Sequence, residues 1–120
     1  MEQHHLSDSE YRLLRVVWAS EPVASGQLVT LCGERLGWKK STTYTVLKKL
    51  CDKGVLRNEG STVTSAVPRA AVDHRAAEAF VDKTFGGSLP GFLTAFMGGR
   101  KLTAKEAEDL KRLIETYQEG

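Results

Sequence analysis

One stretch of the chain, residues 39–53, combines hydroxyl, aromatic and ammonium side chains with a single carboxylate. It contains five lysines against one acid, Asp52, so its charge of +4 exceeds the net charge of +2 of the whole chain. Hydroxyl and ammonium groups donate hydrogen bonds to phosphate oxygens and base edges. The stretch therefore predicts a contact with nucleic acid. The simpler alternative is that this basic run is only a solvated helix face.

Apolar residues recur in this stretch at the spacing of a helix over residues 40–53, closed by Gly54. The face expected to be buried consists of Thr43, Val46, Leu47 and Leu50. The opposite face carries Ser41, Tyr44, Thr45 and Lys48, with Lys49 beside them. Trp38, just before this helix, is expected to pack against the core and orient the helix rather than stack on a base.

Residues for other chemistry are missing or isolated. The sequence has no glycine-rich phosphate loop, no GxSxG, no HExxH, and His74 lies in a polar stretch without a catalytic partner. Cys32 and Cys51 form no CxxC pattern and fall at apolar helix positions, so we expect two small core residues, with a redox switch as the alternative. We therefore predict no enzyme, no metal site and no cofactor.

Length and composition limit the chain to one core plus a short appendage. The chain has 120 residues, of which 41% are hydrophobic and 27% charged, and these values are typical of a folded globular domain. No apolar run reaches the ~18–20 residues that cross a bilayer, and residues 1–5 lack the basic and apolar regions of a signal peptide. We expect a cytoplasmic protein.

Two further helices precede the basic one. Ser7 and Glu10 form a capping box that starts the first helix, which ends before Pro22. Its buried stripe is predicted to be Tyr11, Leu14, Val17 and Trp18. The second helix runs from residue 24 or 25 to Leu36, with Gly37 as its stop.

A β-hairpin is predicted directly after the third helix. β-branched runs at residues 55–58 and 62–67 flank a turn at residues 59–61, and Pro68 ends the second strand. Three helices followed by a hairpin is the order of a winged helix-turn-helix, here residues 1–68. In that arrangement the third helix enters the major groove and Arg57 on the hairpin contacts a phosphate. A winged helix that binds another protein is the rival interpretation, because the fold serves both purposes.

Residues 69–120 are predicted to form three helices that dimerise. An alanine-rich helix reaches Phe85, Ser88 caps a short helix, and a second capping box at Thr103 and Glu106 opens the last one. These helices carry more large apolar side chains than they could hide alone, so a second copy of the chain is the expected cover. The residues expected at this interface are Phe80, Leu89, Phe92, Leu93, Phe96, Met97, Leu110, Leu113, Ile114 and Tyr117. A core role for residues 92–97 is favoured over a ligand pocket.

Taken in order, these segments resemble the bacterial repressors of the BlaI/MecI/CopY family, also called penicillinase repressors. The resemblance covers nearly the whole chain. It is carried by residues 6–11 with Val16-Val17-Trp18, by residues 38–50 leading to Asp52-Lys53-Gly54, by residues 85–88, and by residues 102–113. It implies a mainly α fold with a small β-hairpin wing, a winged helix-turn-helix followed by a C-terminal helical dimerisation region.

The resemblance also implies a function and the residues that perform it. Members of the family repress transcription as dimers whose recognition helices read an inverted repeat, commonly of TACA…TGTA type. Matched position by position, Ser41, Thr42, Tyr44 and Thr45 contact bases or nearby phosphates. Lys40, Lys48 and Lys49 contact mainly the backbone, and double-stranded DNA and a second copy of the chain are the expected partners.

Release from DNA follows two routes in the family, and this sequence departs from both. In the β-lactam branch a sensor-dependent protease cuts the short helix, and the matching bond here is Ala95–Phe96, with Ala95 in place of the family's usual Asn. The copper-responsive branch has a C-terminal CxC metal site, whereas residues 117–120 contain no cysteine. This departure from the copper-responsive branch predicts no copper site of that kind.

Overall fold

The computed structural model describes residues 5–118. Residues 1–4, on which the prediction about a signal peptide largely rests, and residues 119–120 lie outside the described residues. The elements are α1 (Asp8–Ser20), β1 (Val23–Ala24), α2 (Ser25–Leu36), α3 (Lys40–Asp52), β2 (Leu56–Glu59), β3 (Thr62–Ser65), α4 (Arg69–Phe85), α5 (Leu89–Met97) and α6 (Ala104–Tyr117). They form two compact units, one extending to Phe80 and the other starting at Val81. None of the described helices is long and apolar enough to cross a bilayer.

The predicted capping box starts α1. The Glu10 amide donates to Ser7 Oγ at 3.2 Å, and the Ser7 amide donates to Glu10 Oε1 at 2.7 Å. The predicted buried stripe is only half right: Leu14 and Val17 are buried, but Tyr11 and Trp18 are half-buried. Leu13 and Val16 are buried as well, because α1 contacts α2 and α3 and also β3, so that more than one stripe is covered.

A three-residue link joins α2 to α3 and makes the helix-turn-helix. Gly37 adopts φ +70°, a left-handed conformation that glycine takes without strain, and its amide donates to the Gly33 carbonyl at 3.1 Å. The Trp38 amide donates to the Cys32 carbonyl at 3.3 Å, and its ring packs half-buried against the core, as predicted.

The first unit also contains a three-stranded antiparallel sheet in the order β1-β3-β2, and α4 as far as Phe80. Its hairpin turn is shorter than predicted, because Glu59 pairs with Thr62 and leaves only Gly60 and Ser61 in the loop. Both loop residues have positive φ, 57° and 64°, as a type I′ turn requires. Strand β1 was not predicted, since two residues are too short to show an alternating pattern. The order of three helices and a hairpin is that of a winged helix, as the sequence predicts.

The second unit contains the end of α4 with α5 and α6. Ser88 Oγ accepts from the Gly91 amide at 2.9 Å and caps α5. Thr103 and Glu106 form the predicted capping box of α6, with both hydrogen bonds at 3.0 Å. Neither α5 nor α6 has a buried residue. Phe92 lies edge-on to Phe85, with ring centroids 5.6 Å apart.

Candidate DNA-binding surface

Helix α3 separates a buried face from an exposed one, as its sequence predicts. Thr43 and Leu50 are fully buried, Val46 and Leu47 nearly so, and this face packs against α1 and α2. The residues predicted to contact DNA all lie exposed on the rest of the helix: Lys40, Ser41, Thr42, Tyr44, Thr45, Lys48 and Lys49. The helix therefore presents one continuous strip of donors.

The charge of this strip is reduced at one point. Lys48 Nζ donates to Asp52 Oδ2 at 3.0 Å, one turn further along α3. Both side chains are more than half exposed, 77% and 65%, so water screens the pair and it contributes little to stability. Asp52 thus holds the Lys48 side chain on the outer face of α3. A phosphate that bound Lys48 would have to compete with the Asp52 carboxylate.

The first turn of α3 is open to an anion. Lys39 is the N-cap residue and its side chain makes no capping hydrogen bond. The first amides of a helix have no partner within the helix, and together with the helix dipole they attract negative charge. Lys40 lies exposed in the same turn. This end of α3 has the amides and the charge with which helices bind phosphate.

The wing carries the remaining predicted contact, Arg57. It lies exposed on β2, opposite Thr64 of β3, and Glu59 lies two residues further on the same strand face. Gly54, with φ +77°, turns the chain from α3 to β2, and the Val55 amide donates to the Leu50 carbonyl at 3.0 Å. The wing therefore begins at a fixed point next to the end of α3.

A second link holds the base of the wing, and sequence reasoning missed it. The Glu21 carboxylate accepts from the Ser65 amide at 2.7 Å and from Ser65 Oγ at 2.9 Å. At the other end of β3, the Ser25 amide donates to the Ser61 carbonyl at 2.8 Å. Glu21 was interpreted only as the end of the first helix, and nothing in its local pattern indicates a partner 44 positions away.

Lys53, counted in the basic stretch, points away from the outer face. Its ammonium donates to Glu10 Oε1 at 2.8 Å, and the Glu10 side chain is only 3% exposed. Burial by itself raises the pKa of Glu10, but hydrogen bonds from Lys53 and Ser7, with the Lys53 charge, outweigh burial and hold that pKa below its ordinary value. Glu10 therefore stays ionised at neutral pH.

The two cysteines have the surroundings of core residues. Cys32 is fully buried and Cys51 half-buried, and neither is in a disulfide. Burial raises the pKa of both thiols, for Cys51 with a further contribution from the Asp52 charge. Within residues 5–118, no three His, Cys, Asp or Glu side chains are grouped as metal ligands would be.

The predicted interface residues of the C-terminal region keep large exposed areas. Exposure reaches 57% for Leu89, 47% for Phe96, 53% for Leu113, 59% for Ile114 and 78% for Tyr117. Phe80 in the first unit is 51% exposed. Phe92, Leu93, Met97 and Leu110 are half-buried. Ala95 and Phe96, the residues of the predicted cleavage bond, lie exposed within α5.

Comparison with known proteins assigns the chain to a family. A family model described as penicillinase repressor matches residues 6–116. The chain is 20% identical over 117 residues to a penicillinase repressor of Staphylococcus aureus, covering 94% of this chain and 93% of that protein. It is 17% identical over 115 residues to the methicillin resistance regulatory protein MecI of Staphylococcus aureus strain N315, covering 92% and 94%. An "uncharacterized 16.5 kDa protein in ptsI 3′ region" of Latilactobacillus sakei is 24% identical over 115 residues, covering 92% and 79%. Because the family model spans almost all of the winged helix and the C-terminal helices, this chain belongs to the penicillinase repressor family.

Proposed function

We propose that this chain, a member of a family of DNA-binding transcriptional repressors, acts as a homodimer that places two α3 helices in the major grooves of an inverted-repeat operator. One observation carries the proposal: every predicted DNA contact on α3 is exposed, and the buried face of the same helix contains no charged residue. Bound there, the dimer would exclude RNA polymerase from the promoter.

The side chains of α3 divide by chemistry into two roles. Ser41, Thr42, Tyr44 and Thr45 carry short or rigid hydroxyl-bearing side chains that suit base edges and the thymine methyl group, and a well-made base contact is worth about 1–3 kcal/mol of discrimination. The charged residues Lys40, Lys48, Lys49 and Arg57 suit phosphates. Each phosphate they neutralise makes binding weaker with salt, by about 0.9 in the slope of log K against log salt.

A second copy of the chain is the cover proposed for α5 and α6. Five exposed apolar side chains on these helices, together with Leu102 at 41%, each leave on the order of 100 Å² in water. Covering them on both chains would remove roughly 1,200 Å², the lower end of a standard interface. Two copies would set their α3 helices roughly 34–36 Å apart, or a multiple of this, to match successive major grooves.

Bivalency explains how such a repressor is released. A half-site contact by one winged helix is weak at physiological salt, and linking two of them multiplies the affinity by about 10²–10⁴. Any event that separates the C-terminal regions therefore frees the operator. Cleavage at Ala95–Phe96 is one such event: the bond is exposed in α5, and a protease would have to unwind this short helix to reach it.

Fluorescence anisotropy tests the proposal directly. The full-length protein is titrated onto a duplex carrying a TACA…TGTA inverted repeat and onto a scrambled duplex of the same composition, at several salt concentrations. We expect two chains per duplex, preference for the repeat, and steep loss of affinity with salt. Binding that ignores sequence would call for selection from random DNA. Weak binding with little dependence on salt would instead support a winged helix that binds protein.

A further inference from the structure

We propose that Glu10 and Lys53 form an anchor that sets the angle of α3 against α1, so that Lys53 positions the DNA-reading helix instead of contacting DNA. The inference rests on the proposed function, because it concerns how α3 is presented to DNA. Glu10 lies in the first turn of α1, and Lys53 is the residue that ends α3. The pair therefore joins the start of one helix to the end of the other.

The anchor is built from short hydrogen bonds with little exposure to water. Glu10 Oε1 accepts from Lys53 Nζ at 2.8 Å and from the Ser7 amide at 2.7 Å. Lys53 Nζ also donates to the His5 carbonyl at 2.9 Å. The Lys53 side chain is 24% exposed, against 77% for Lys48. Charge-assisted hydrogen bonds of this length are about twice as strong as neutral ones, so together they hold the ammonium at the start of α1.

Most of the other contacts of α3 with the core are apolar. Val46, Leu47 and Leu50 are apolar, and burial of apolar surface is not directional. From Ser41 to Lys53 the helix rises about 18 Å at 1.5 Å per residue, so a tilt of about 5° moves its first turn by roughly 1.5 Å. A hydrogen bond to a base tolerates only a few tenths of an ångström. A single anchored point would leave the helix free to pivot, so the anchor and the apolar packing together set this tilt, and a shift at the last residue changes the contacts at the first turn.

The same residue fixes where the wing begins. Gly54 follows Lys53 with φ +77°, and Val55 is then buried before β2 starts at Leu56. Buried ion pairs contribute little net stability compared with apolar pairs of the same volume, because both charges lose water. Removal of one partner alone leaves the other charge buried and unpaired, which destabilises the fold. The alignment of α3 and β2 is therefore tested only in variants that are shown to be folded.

Four single variants and one double variant separate anchoring from capping and from DNA contact. Glu10→Gln keeps an oxygen that accepts from the Ser7 amide, since glutamine also serves in a capping box, but it removes the charge that holds Lys53. Lys53→Met removes the ammonium, and Lys53→Arg keeps a cation. Lys48→Met is the matched control, an exposed lysine on the same helix. Affinity is measured on the repeat and scrambled duplexes over a salt series, at a temperature where urea titration shows every variant to be folded.

For Glu10→Gln and Lys53→Met we expect affinity for the repeat to fall about 100-fold, the equivalent of one good base contact in each of the two half-sites. In both variants, the affinity for the scrambled duplex and the slope of log K against log salt should equal those of the parent. Lys53→Arg should recover most of the loss, and the double variant Glu10→Gln with Lys53→Met should lose no more than either single one. Lys48→Met should instead weaken binding to both duplexes and flatten the slope.

Three results would overturn the anchor. Unchanged affinity for the repeat in folded Glu10→Gln and Lys53→Met would leave the pair a structural role only. A flatter salt slope with equal losses on both duplexes in Lys53→Met would make Lys53 a phosphate contact. Amide hydrogen exchange gives a readout that needs no DNA: exchange should rise at residues 53–56 in Glu10→Gln, and no rise there would also refute the anchor. If the parent itself shows no preference for any duplex, the proposed function fails and exchange alone decides the anchor.

Discussion

Removal of the Lys48 ammonium gives the sharpest test of the proposed DNA-binding surface, because the chain contains a matched control. Lys48 pairs with Asp52 at 3.0 Å on α3, and Lys105 pairs with Asp109 at 3.0 Å on α6, each four residues apart. The two lysine side chains are 77% and 84% exposed. Substitution of either by alanine lowers the net charge of +2 by one per chain, so the two variants differ in where the charge is lost.

The expected effect of Lys48→Ala follows from the number of phosphates it would neutralise. One contact per chain is two per dimer, so the slope of log K against log salt should flatten by about 1.8. The ratio of the parent's affinity to the variant's affinity should therefore fall by about tenfold when salt rises fourfold, from 50 to 200 mM. Loss of an exposed i,i+4 pair changes the free energy of unfolding by only about 0.3–0.5 kcal/mol, so both variants should stay folded.

Anisotropy titrations of the parent, Lys48→Ala and Lys105→Ala on one duplex measure these slopes. Lys105→Ala should keep the slope of the parent. If Lys48→Ala also kept it, Lys48 would not contact phosphate and the orientation proposed for α3 would be wrong. If Lys105→Ala flattened the slope equally, the effect would come from overall charge and would say nothing about α3.

Four further predictions concern other parts of the chain. Tyr44→Ala should change which operator positions are preferred while the salt slope stays constant, as selection from random DNA would reveal; an unaltered preference would remove Tyr44 from base readout. The folded-state pKa of Glu10 lies below its ordinary value of 4.5, so the stability that ionised Glu10 contributes at neutral pH is lost as pH falls below 4.5. In urea titrations the free energy of unfolding should therefore fall less with acidification in Glu10→Gln than in the parent, and an equal fall in both would contradict this. A chain that ends at Ala95 should be monomeric by light scattering and should lose tight operator binding, whereas an intact dimer would refute dimerisation through α5 and α6. Since burial raises the pKa of Cys32 and Cys51, both thiols should react slowly with iodoacetamide at pH 7 until urea unfolds the chain, and fast reaction of the folded chain would favour a redox role.

The sequence alone determined the features that depend on neighbouring residues. Interactions between residues one to four positions apart account for both capping boxes, for the glycine that ends α2 and for the exposed face of α3. Such interactions are local, so they act the same way wherever the helix is placed. For that reason the predicted bounds of α1, α2 and α3 agree with the structure to within one or two residues, and the strip of donors on α3 could be named before the fold was known.

Only the tertiary structure decided which charged residues face inward. Lys53 and Lys48 belong to the same basic stretch, yet Lys53 is held by a carboxylate 43 positions away, whereas Lys48 is 77% exposed and pairs only with Asp52 on its own helix. Glu21 reaches Ser65 across 44 positions, and the two residues of β1 become a strand only because β3 lies beside them. Contacts of this kind form when folding closes long loops around a shared core, and no local pattern records them. The strip proposed to meet DNA is thus fixed by helix periodicity, whereas its angle and the position of the wing depend on the packing of α1, α3 and β3.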